Sequence, residues 1–186
     1  MIDPKDVSAV LVTKGGTDIW PIQERIKGFG QMRDWNNSFE QEDQKVYGRY
    51  LAATRFCGCD YIYVQDDDCL VDAERLCAEY QPGELLCNVQ ASHARFYADI
   101  RMSLVGWGAI LPRSMIDFSR YLEKWPLDDL FLRECDRVFT RLNYDKLRVV
   151  DIGVEHLPHA YGQDRMGTEA RHGRDLEEIK RRLAAL

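Results

Sequence analysis

Residues 60–71 contain the feature that constrains the fold most, an apolar run that ends in three consecutive carboxylates. The run Tyr61–Val64 predicts a buried strand, because β-branched and aromatic side chains pack well on a pleated surface. Asp66, Asp67 and Asp68 follow at its carboxyl end, which is where open α/β sheets bind ligands. Adjacent carboxylates repel one another unless a cation or open solvent stabilises them. A hard divalent ion such as Mn²⁺ or Mg²⁺ with a bound diphosphate is the functional interpretation, and a solvated acidic turn is the alternative.

Length and charge restrict the classes of protein that fit. The chain has 186 residues, 45% hydrophobic and 30% charged, which suits one soluble globular domain. A net charge of −6 argues against a broad nucleic-acid-binding surface. The net charge does not exclude a local basic groove near the C-terminus, built from Arg165, Arg171, Arg174, Lys180, Arg181 and Arg182. A solvated helix face is the alternative for that charge run.

The start of the chain and its cysteines bear on location and metals. The first residues lack signal-peptide character and no apolar stretch approaches the length of a membrane span, so we expect a cytoplasmic protein. The six cysteines show no paired CxxC spacing, which disfavours zinc and favours reduced, mostly buried thiols. They are Cys57, Cys59, Cys69, Cys77, Cys87 and Cys135.

The remaining patterns alternate between strands and helices, which predicts an α/β fold. Strands are predicted at residues 7–13, within 28–35, at 61–64, 85–89, within 106–113, and at 147–154. Helices are predicted at residues 42–56, 72–80, 114–124 and 175–186, and from an opening at residues 125–129 through Leu142. A further short helix is predicted after Asp18, which can cap it, with Pro21 in its first turn. The weakly patterned residues 91–104, which include His93, Arg95, Tyr97 and Arg101, predict an acceptor-side loop.

Several polar residues follow the early strands. Thr13 and Lys14 end the first strand beside two glycines, which permit close approach of a ligand to the backbone. Asn37, or its neighbour Asn36, either contacts a nucleotide base or ribose or forms local turn hydrogen bonds. Arg49 is either a solvent-exposed helix residue or a bidentate phosphate contact.

The second half of the chain carries three further candidate groups. Trp107 lies between two glycines and either stacks on a sugar or fills the core. Asp128 and Asp129 open a helix, where the macrodipole stabilises acids, and a carboxylate there can also serve as a general base. His156 and His172 each either complete a metal site with the carboxylates or lie on the surface.

Taken in order, these motifs resemble those of a small GT-A fold glycosyltransferase, from residue 7 to about residue 172. Residues 61–68 look like the DxD motif of that family, and residues 10–13 look like its first nucleotide-contacting strand. Residues 106–109 are similar to its acceptor-side glycine motif, and residues 125–129 to its helix-start acidic motif. A histidine also lies beyond the last strand.

The resemblance implies a single GT-A domain over residues 1–186, with a Rossmann-like, mixed, mostly parallel sheet flanked by helices. Its nucleotide-binding half would cover about residues 1–72 and its acceptor-binding half about residues 73–172, followed by the C-terminal helix. The implied activity is metal-dependent transfer of a sugar from a nucleoside diphosphate sugar to an acceptor hydroxyl, with Mn²⁺ or Mg²⁺ as cofactor.

The resemblance also assigns roles to residues. The implied metal ligands are Asp68, Asp66 and a histidine, with His172 preferred over His156. The implied donor-binding residues are Thr13, Lys14, Asn37, Arg49, Asp66 and Asp67. The implied acceptor-binding residues are Gly106, Trp107 and Gly108, and the implied base is Asp129 or its neighbour Asp128.

Two departures from the family pattern matter. The usual Glu-Asp pair is Asp128-Asp129 here, and the chain is shorter than most members. Compact versions of this fold look similar to bacteriophage enzymes, some of which add sugars to hydroxymethylated pyrimidines in DNA. The acceptor is therefore modified DNA, a protein or a small glycan. If the chain is viral, the expected location is the host cytoplasm. The alternatives are a sugar-phosphate nucleotidyltransferase, whose longer glycine-rich basic loop is missing at residues 14–16, and a non-catalytic nucleotide- or carbohydrate-binding module.

Overall fold

A computed structural model describes residues 1–13, 17–37, 43–157 and 165–186, with the backbone alone for residues 165–172. Its strands are β1 (Val7–Thr13), β2 (Gln31–Asn36), β3 (Tyr61–Asp66), β4 (Cys69–Leu70), β5 (Leu85–Asn88), β6 (Ala109–Pro112), β7 (Leu147–Val150) and β8 (Glu155–His156). Its helices are α1 (Trp20–Ile26), α2 (Gly48–Phe56), α3 (Ala73–Glu79), α4 (Ala91–Asp99), α5 (Ser119–Leu122), α6 (Asp129–Leu142) and α7 (Arg165–Ala184).

The main sheet has six strands in the order β2-β1-β3-β6-β5-β7. β1 is parallel to β2 and β3, and β5 is parallel to β7. β6 alone runs antiparallel, between β3 and β5. The other five strands therefore share a direction, and their carboxyl ends meet at one edge, where β6 begins. The predicted α/β class with a mixed, mostly parallel sheet is confirmed.

Alternate residues of the central strands face two separate cores, as the two-residue period of a strand requires. Val10 and Val12 pack into one core with α2 and α6, while Ala9 and Leu11 pack into the other with α1 and α3. Burial on both faces explains why β1 is a continuous apolar run. α6 (Asp129–Leu142) carries the apolar face expected from its sequence, with Phe131, Cys135, Val138 and Phe139 buried.

Several predicted boundaries were wrong. Residues 91–104, predicted as a loop, contain α4 (Ala91–Asp99). Tyr97 is the only buried residue of this helix, so the sequence of α4 shows almost no periodic pattern of apolar residues. The last main-sheet strand ends at Val150, not at residue 154. There Asp151 accepts hydrogen bonds from the N–H groups of Ala91 and Gly153, and Gly153 has a φ of 85° that turns the chain.

The remaining differences concern helix lengths. The helix predicted at residues 42–56 begins at Gly48, after a 3₁₀ turn over Lys45–Tyr47. The one predicted at residues 114–124 is reduced to Ser119–Leu122. The C-terminal helix begins at Arg165 rather than residue 175.

Candidate functional site

The carboxyl edge of the sheet gathers most of the predicted site. In the strand register, Thr13 pairs with Asn36 and Val12 pairs with Asp66, so the ends of β1, β2 and β3 lie side by side. The N–H of Asp66 donates to the carbonyl of Gly106 at 2.8 Å. The predicted donor-side residues and the Gly106–Gly108 segment are therefore adjacent, although 40 residues separate Asp66 from Gly106 in sequence.

Arg49, on α2, is buried and forms an ion pair with Asp66. Its side chain is 0% exposed, and its Nη2 donates to Asp66 Oδ1. Its Nη1 lies 3.3 Å from Asp136 Oδ2 as an ion pair without hydrogen-bond geometry. Burial disfavours the charged guanidinium, but the carboxylates of Asp136 and Asp66 outweigh it, so the pKa of Arg49 is raised. The described contacts assign Arg49 to Asp66, and its phosphate contact stays a prediction.

Glycine is required at position 106 because Asp66 occupies the space beside it. A Cβ built there would lie 1.9 Å from Asp66 Oδ2, inside the carboxylate. The Asp66 side chain is thus clamped between Arg49 and the Gly106 backbone, with 38% of its surface exposed toward the site. Sequence reasoning attributed this glycine to approach of an acceptor, whereas the described contact is with Asp66.

Asp67 forms side-chain hydrogen bonds with Thr13, at the end of β1, and with Thr17. Burial raises the pKa of Asp67, the charges of Asp66 and Asp68 add to that effect, and hydrogen bonds with the Thr13 and Thr17 hydroxyls oppose it. Asp67 therefore connects the acidic segment to the loop that follows β1.

Asp68 lies in a cluster that sequence reasoning found only in part. Asp68 Oδ1 is 3.1 Å from Cys69 Sγ, which is 3.8 Å from His156 Nδ1. One ligand atom from each residue lies within 4.8 Å of the others. The two-stranded ribbon of β4 and β8 creates this proximity, because Cys69 and His156 are register partners. The predicted ligands Asp68 and His156 are thus brought together, while Cys69 was missed although it directly follows the acidic triplet.

Asn88 fastens the segments that carry Trp107 and His156. Its Nδ2 donates to the carbonyls of Trp107 and Gly153, each at 2.9 Å, and its Oδ1 accepts from Ile152 N–H at 3.0 Å. Asn88 is fully buried at the end of β5. Nothing in the sequence marked this residue, since its partners are distant along the chain.

Trp107 is half-buried and lies between two histidine rings. Its ring centroid is 5.4 Å from that of His156 and 5.1 Å from that of His93, in near-perpendicular arrangements. Trp107 therefore borders the Asp68 cluster, and its other neighbour is the exposed His93 at the start of α4, in the segment that the sequence predicted as an acceptor-side loop.

The two acids at the start of α6 differ in environment. Asp128 is the N-cap: it accepts from Phe131 N–H at 2.9 Å and from Arg182 Nη2 at 2.8 Å. Burial opposes ionisation of Asp128, but these hydrogen bonds outweigh it and lower its pKa. The side chain of Asp129 is 64% exposed and forms ion pairs with Arg133 and with Lys45, the latter at 3.1 Å.

The other predicted positions have structural roles or lie outside the described residues. Asn37 is buried; its Oδ1 accepts from Trp35 Nε1 and Gln44 N–H, and its Nδ2 donates to the Lys45 carbonyl. These bonds account for its burial, and its nucleoside contact stays a prediction. Lys14 and the side chain of His172 lie outside the described residues.

The predicted basic groove is largely neutralised where the structure describes it. Lys180 pairs with Glu177 at 2.8 Å, and Arg181 pairs with Glu178 at 2.7 Å. Arg182 pairs with Asp128 and packs over the ring of Trp125. The side chains of Arg165 and Arg171 lie outside the described residues. Arg174 is exposed on the same helix, so acids compensate three of the four cations whose side chains are described on α7.

The cluster provides donors that suit a divalent cation, since it combines a carboxylate, an imidazole and a thiol beside two further carboxylates. A comparison with models of known protein families finds no match, and a search of curated proteins likewise finds no significant relative. Among the helices in the described ranges, none combines the length and apolar character needed to cross a bilayer.

Proposed function

We propose that this chain is a metal-dependent glycosyltransferase of the GT-A type that moves a sugar from a nucleoside diphosphate sugar to an acceptor hydroxyl. The observation that supports it best is the convergence at one sheet edge. Asp66 ends β3 and two further carboxylates follow it directly, a glycine loop packs on Asp66, and a short ribbon positions His156 beside Asp68. Ligand sites of open α/β sheets lie at this edge.

In this proposal, Asp68 and His156 hold a divalent ion at the end of β3. The bound ion would supply a positive charge that stabilises the leaving diphosphate. Asp66 contacts the donor ribose or bridges to the ion. The ion pair from Arg49 and contact with the Gly106 backbone fix the orientation of the Asp66 carboxylate before any ligand arrives.

Asp129 is the better of the two candidates for the base that accepts the acceptor proton. Asp128 is committed to capping α6 and to Arg182, and its lowered pKa makes it a weaker proton acceptor. The exposed carboxylate of Asp129 is oriented by Lys45 and Arg133. Because 64% of the Asp129 side chain stays exposed beside these two cations, solvent and an acceptor retain access to its carboxylate.

The donor would lie along Thr13, Lys14, Asn37 and Asp67, and the acceptor near Gly106, Trp107 and Gly108. A hydroxymethylated pyrimidine in DNA enters the proposal only through the resemblance to compact phage enzymes, because three of the four cations whose side chains are described on α7 are paired with acids. Protein and small-glycan hydroxyls are equally open as acceptors. A sugar-phosphate nucleotidyltransferase and a non-catalytic binding module are the alternatives that the experiment below separates.

The test is a thermal-shift panel of UDP, GDP, CDP and TDP, each without metal, with Mn²⁺ and with Zn²⁺. A ligand that binds only the folded protein raises its melting temperature by mass action. We expect one nucleotide to stabilise the protein only with metal, and Asp68→Asn to abolish that shift. Asp60→Asn is the matched control, since Asp60 is exposed at the opposite end of the same strand.

Turnover of the matching nucleotide sugar then discriminates among the functions. Release of nucleoside diphosphate supports a glycosyltransferase, whereas pyrophosphate formed from a nucleoside triphosphate and a sugar phosphate supports a nucleotidyltransferase. Metal-dependent binding with neither product supports the binding module. If no nucleotide shifts the melting temperature with either metal condition, the proposal is rejected and residues 66–68 are an acidic turn.

A further inference from the structure

We propose that Cys69 is a metal ligand, and that Asp68, Cys69 and His156 form a three-donor site selective for a borderline divalent ion of the Zn²⁺ or Co²⁺ class. This names the metal class of the site invoked above and rests on the proposed function for the ion's role in transfer, although the binding itself does not depend on it. The sequence expectation of Mn²⁺ or Mg²⁺ did not include a sulfur ligand.

The distances in the cluster match a tetrahedral ion. With metal–sulfur bonds of about 2.3 Å and metal–nitrogen or metal–oxygen bonds of about 2.0–2.1 Å, neighbouring ligand atoms lie about 3.5 Å apart. The Cys69 Sγ distances to Asp68 Oδ1 and His156 Nδ1 are 3.1 Å and 3.8 Å, which bracket that value. The third separation, between the ligand atoms of Asp68 and His156, lies within 4.8 Å, so these two side chains have to approach each other by up to about 1.3 Å to surround one ion. His156 is exposed and Asp68 is half-buried, which leaves both side chains room to rotate.

The backbone holds the three donors in place. Cys69 and His156 face each other as register partners in the ribbon, and Leu157 N–H donates to the Asp68 carbonyl at 2.6 Å. Asn88 fixes the approach to the ribbon through Ile152 and Gly153. The three donors therefore lie on short segments whose relative position is set by main-chain hydrogen bonds, which limits the cost of assembling the site.

The chemistry of the donors determines the class of ion. Thiolate and imidazole favour Zn²⁺ and Co²⁺, whereas Mg²⁺ and Mn²⁺ favour all-oxygen sites. Three protein ligands leave the fourth position of a tetrahedral ion for water or a diphosphate oxygen, as in catalytic rather than structural zinc sites. The missing CxxC spacing does not argue against this site, because its ligands are adjacent in sequence or paired across a ribbon. Binding transfers the Cys69 thiol proton to solvent and leaves the thiolate on the ion.

The competing interpretation is a hydrogen bond alone. Cys69 Sγ also has the geometry to donate to Asp68 Oδ1, and in that case the thiol would only orient the carboxylate. The two interpretations differ in whether sulfur contacts the ion, so a sulfur-specific signal separates them.

The experiment is a titration of the reduced, metal-free full chain with Co²⁺, in the absence of nucleotide, followed by absorption spectroscopy. We expect one equivalent of Co²⁺ to produce a thiolate-to-cobalt charge-transfer band in the near ultraviolet and Zn²⁺ to displace it. Cys69→Ser should lose the band and bind Zn²⁺ about tenfold more weakly or worse. Cys59→Ser is the matched control and should keep both, since Cys59 lies before β3, at its other end.

Because Cys69 is buried, a second variant keeps the test independent of its folding. His156→Ala, at an exposed position, should keep the charge-transfer band but bind Zn²⁺ about tenfold more weakly or worse. Cobalt binding by the wild-type chain without a charge-transfer band overturns the proposal, as does a band that survives in a folded Cys69→Ser protein. A band without any nucleotide-dependent thermal shift keeps this metal site and rejects the transferase, while Mn²⁺-dependent nucleotide binding without a band does the reverse.

Discussion

Arg49 donates a hydrogen bond to Asp66 from a position that is 0% exposed, and so joins α2 to the acidic end of β3. The same guanidinium lies 3.3 Å from Asp136 on α6, whose other carboxylate oxygen accepts from the Tyr50 hydroxyl at 2.8 Å. One buried cation thus balances two carboxylates from different elements. The orientation of a candidate site residue is therefore set by the packing of two helices against the sheet.

Arg49→Met should destabilise the fold strongly. It leaves Asp66 and Asp136 without their shared cation, and removing one partner of a buried ion pair costs about 3–5 kcal/mol. The stability of Arg49→Lys should lie between those of wild type and Arg49→Met. Lysine keeps the positive charge, but its ammonium group lacks the planar fork with which the guanidinium reaches both carboxylates. Urea denaturation at neutral pH measures both. The control is Arg55→Met on the exposed side of α2, whose free energy of unfolding should stay within about 0.5 kcal/mol of wild type. Equal losses of stability in Arg49→Met and Arg55→Met would contradict the network around Arg49.

Gly106→Ala should abolish metal-dependent nucleotide binding while the protein still folds. The new Cβ would lie 1.9 Å from Asp66 Oδ2, so the carboxylate must leave its place beside Arg49. Overpacking of this kind costs about 1–3 kcal/mol. Gly28→Ala is the control, because its Cβ would meet its nearest neighbour at an ordinary 3.8 Å. The thermal-shift panel reads out binding, and an unchanged nucleotide shift in Gly106→Ala would remove Asp66 from the site.

Strong local patterns made much of the fold predictable. β1 and β3 are continuous apolar runs because both faces of the sheet are covered, and α6 buries a clear apolar stripe behind its Asp128 cap. α4 was missed for the opposite reason, since Tyr97 is its only buried residue. Prediction succeeded for segments whose buried residues form a continuous or periodic pattern in the sequence.

The candidate site divides in the same way. Asp68 was predicted because it ends a strand, and His156 because it follows one, but β4 and β8 have two residues each and carry no periodic signal. The pairing of Cys69 with His156 is set by hydrogen bonds between segments far apart in the chain. A single sequence does not encode such a contact locally, so the thiol could not be assigned.

Asn88→Ala should destabilise the protein by about 2–4 kcal/mol. It removes the partner of the Trp107 and Gly153 carbonyls and of Ile152 N–H. A buried polar group left without a partner costs about 1–3 kcal/mol, and less at the exposed Gly153, where water replaces Asn88. Metal affinity should fall as well, because the β8 ribbon loses its anchor. Asn143→Ala, which loses one hydrogen bond to a helix carbonyl, is the control and should cost less than about 1.5 kcal/mol. Urea denaturation and metal titration measure the two effects.

Asp128 and Asp129 are adjacent acids with separable roles. Asp128→Ala should cost about 0.5–2 kcal/mol, the usual value of an N-cap. Asp128→Asn keeps one oxygen for the cap, but it loses the charge and the acceptor of the Arg182 hydrogen bond. Because the pKa of Asp128 is lowered, its ionised form stabilises the fold above its ordinary value of 3.8, and that contribution is lost as the pH falls through the lowered pKa. The difference in unfolding free energy between wild type and Asp128→Asn should therefore shrink below pH 3.8.

Turnover separates the two acids further. Asp129→Asn should bind donor as wild type does and lose about 10²–10⁴-fold in the rate of transfer, the usual contribution of a general base, while Asp128→Asn should keep most of its activity. The exposed Asp129 carboxylate holds Lys45 and Arg133, so the amide variant should change stability by less than about 1 kcal/mol. Single-turnover rates measured beside donor affinity isolate the chemical step. Full activity in Asp129→Asn with loss in Asp128→Asn would move the base to Asp128; full activity in both would mean that neither carboxylate takes the acceptor proton.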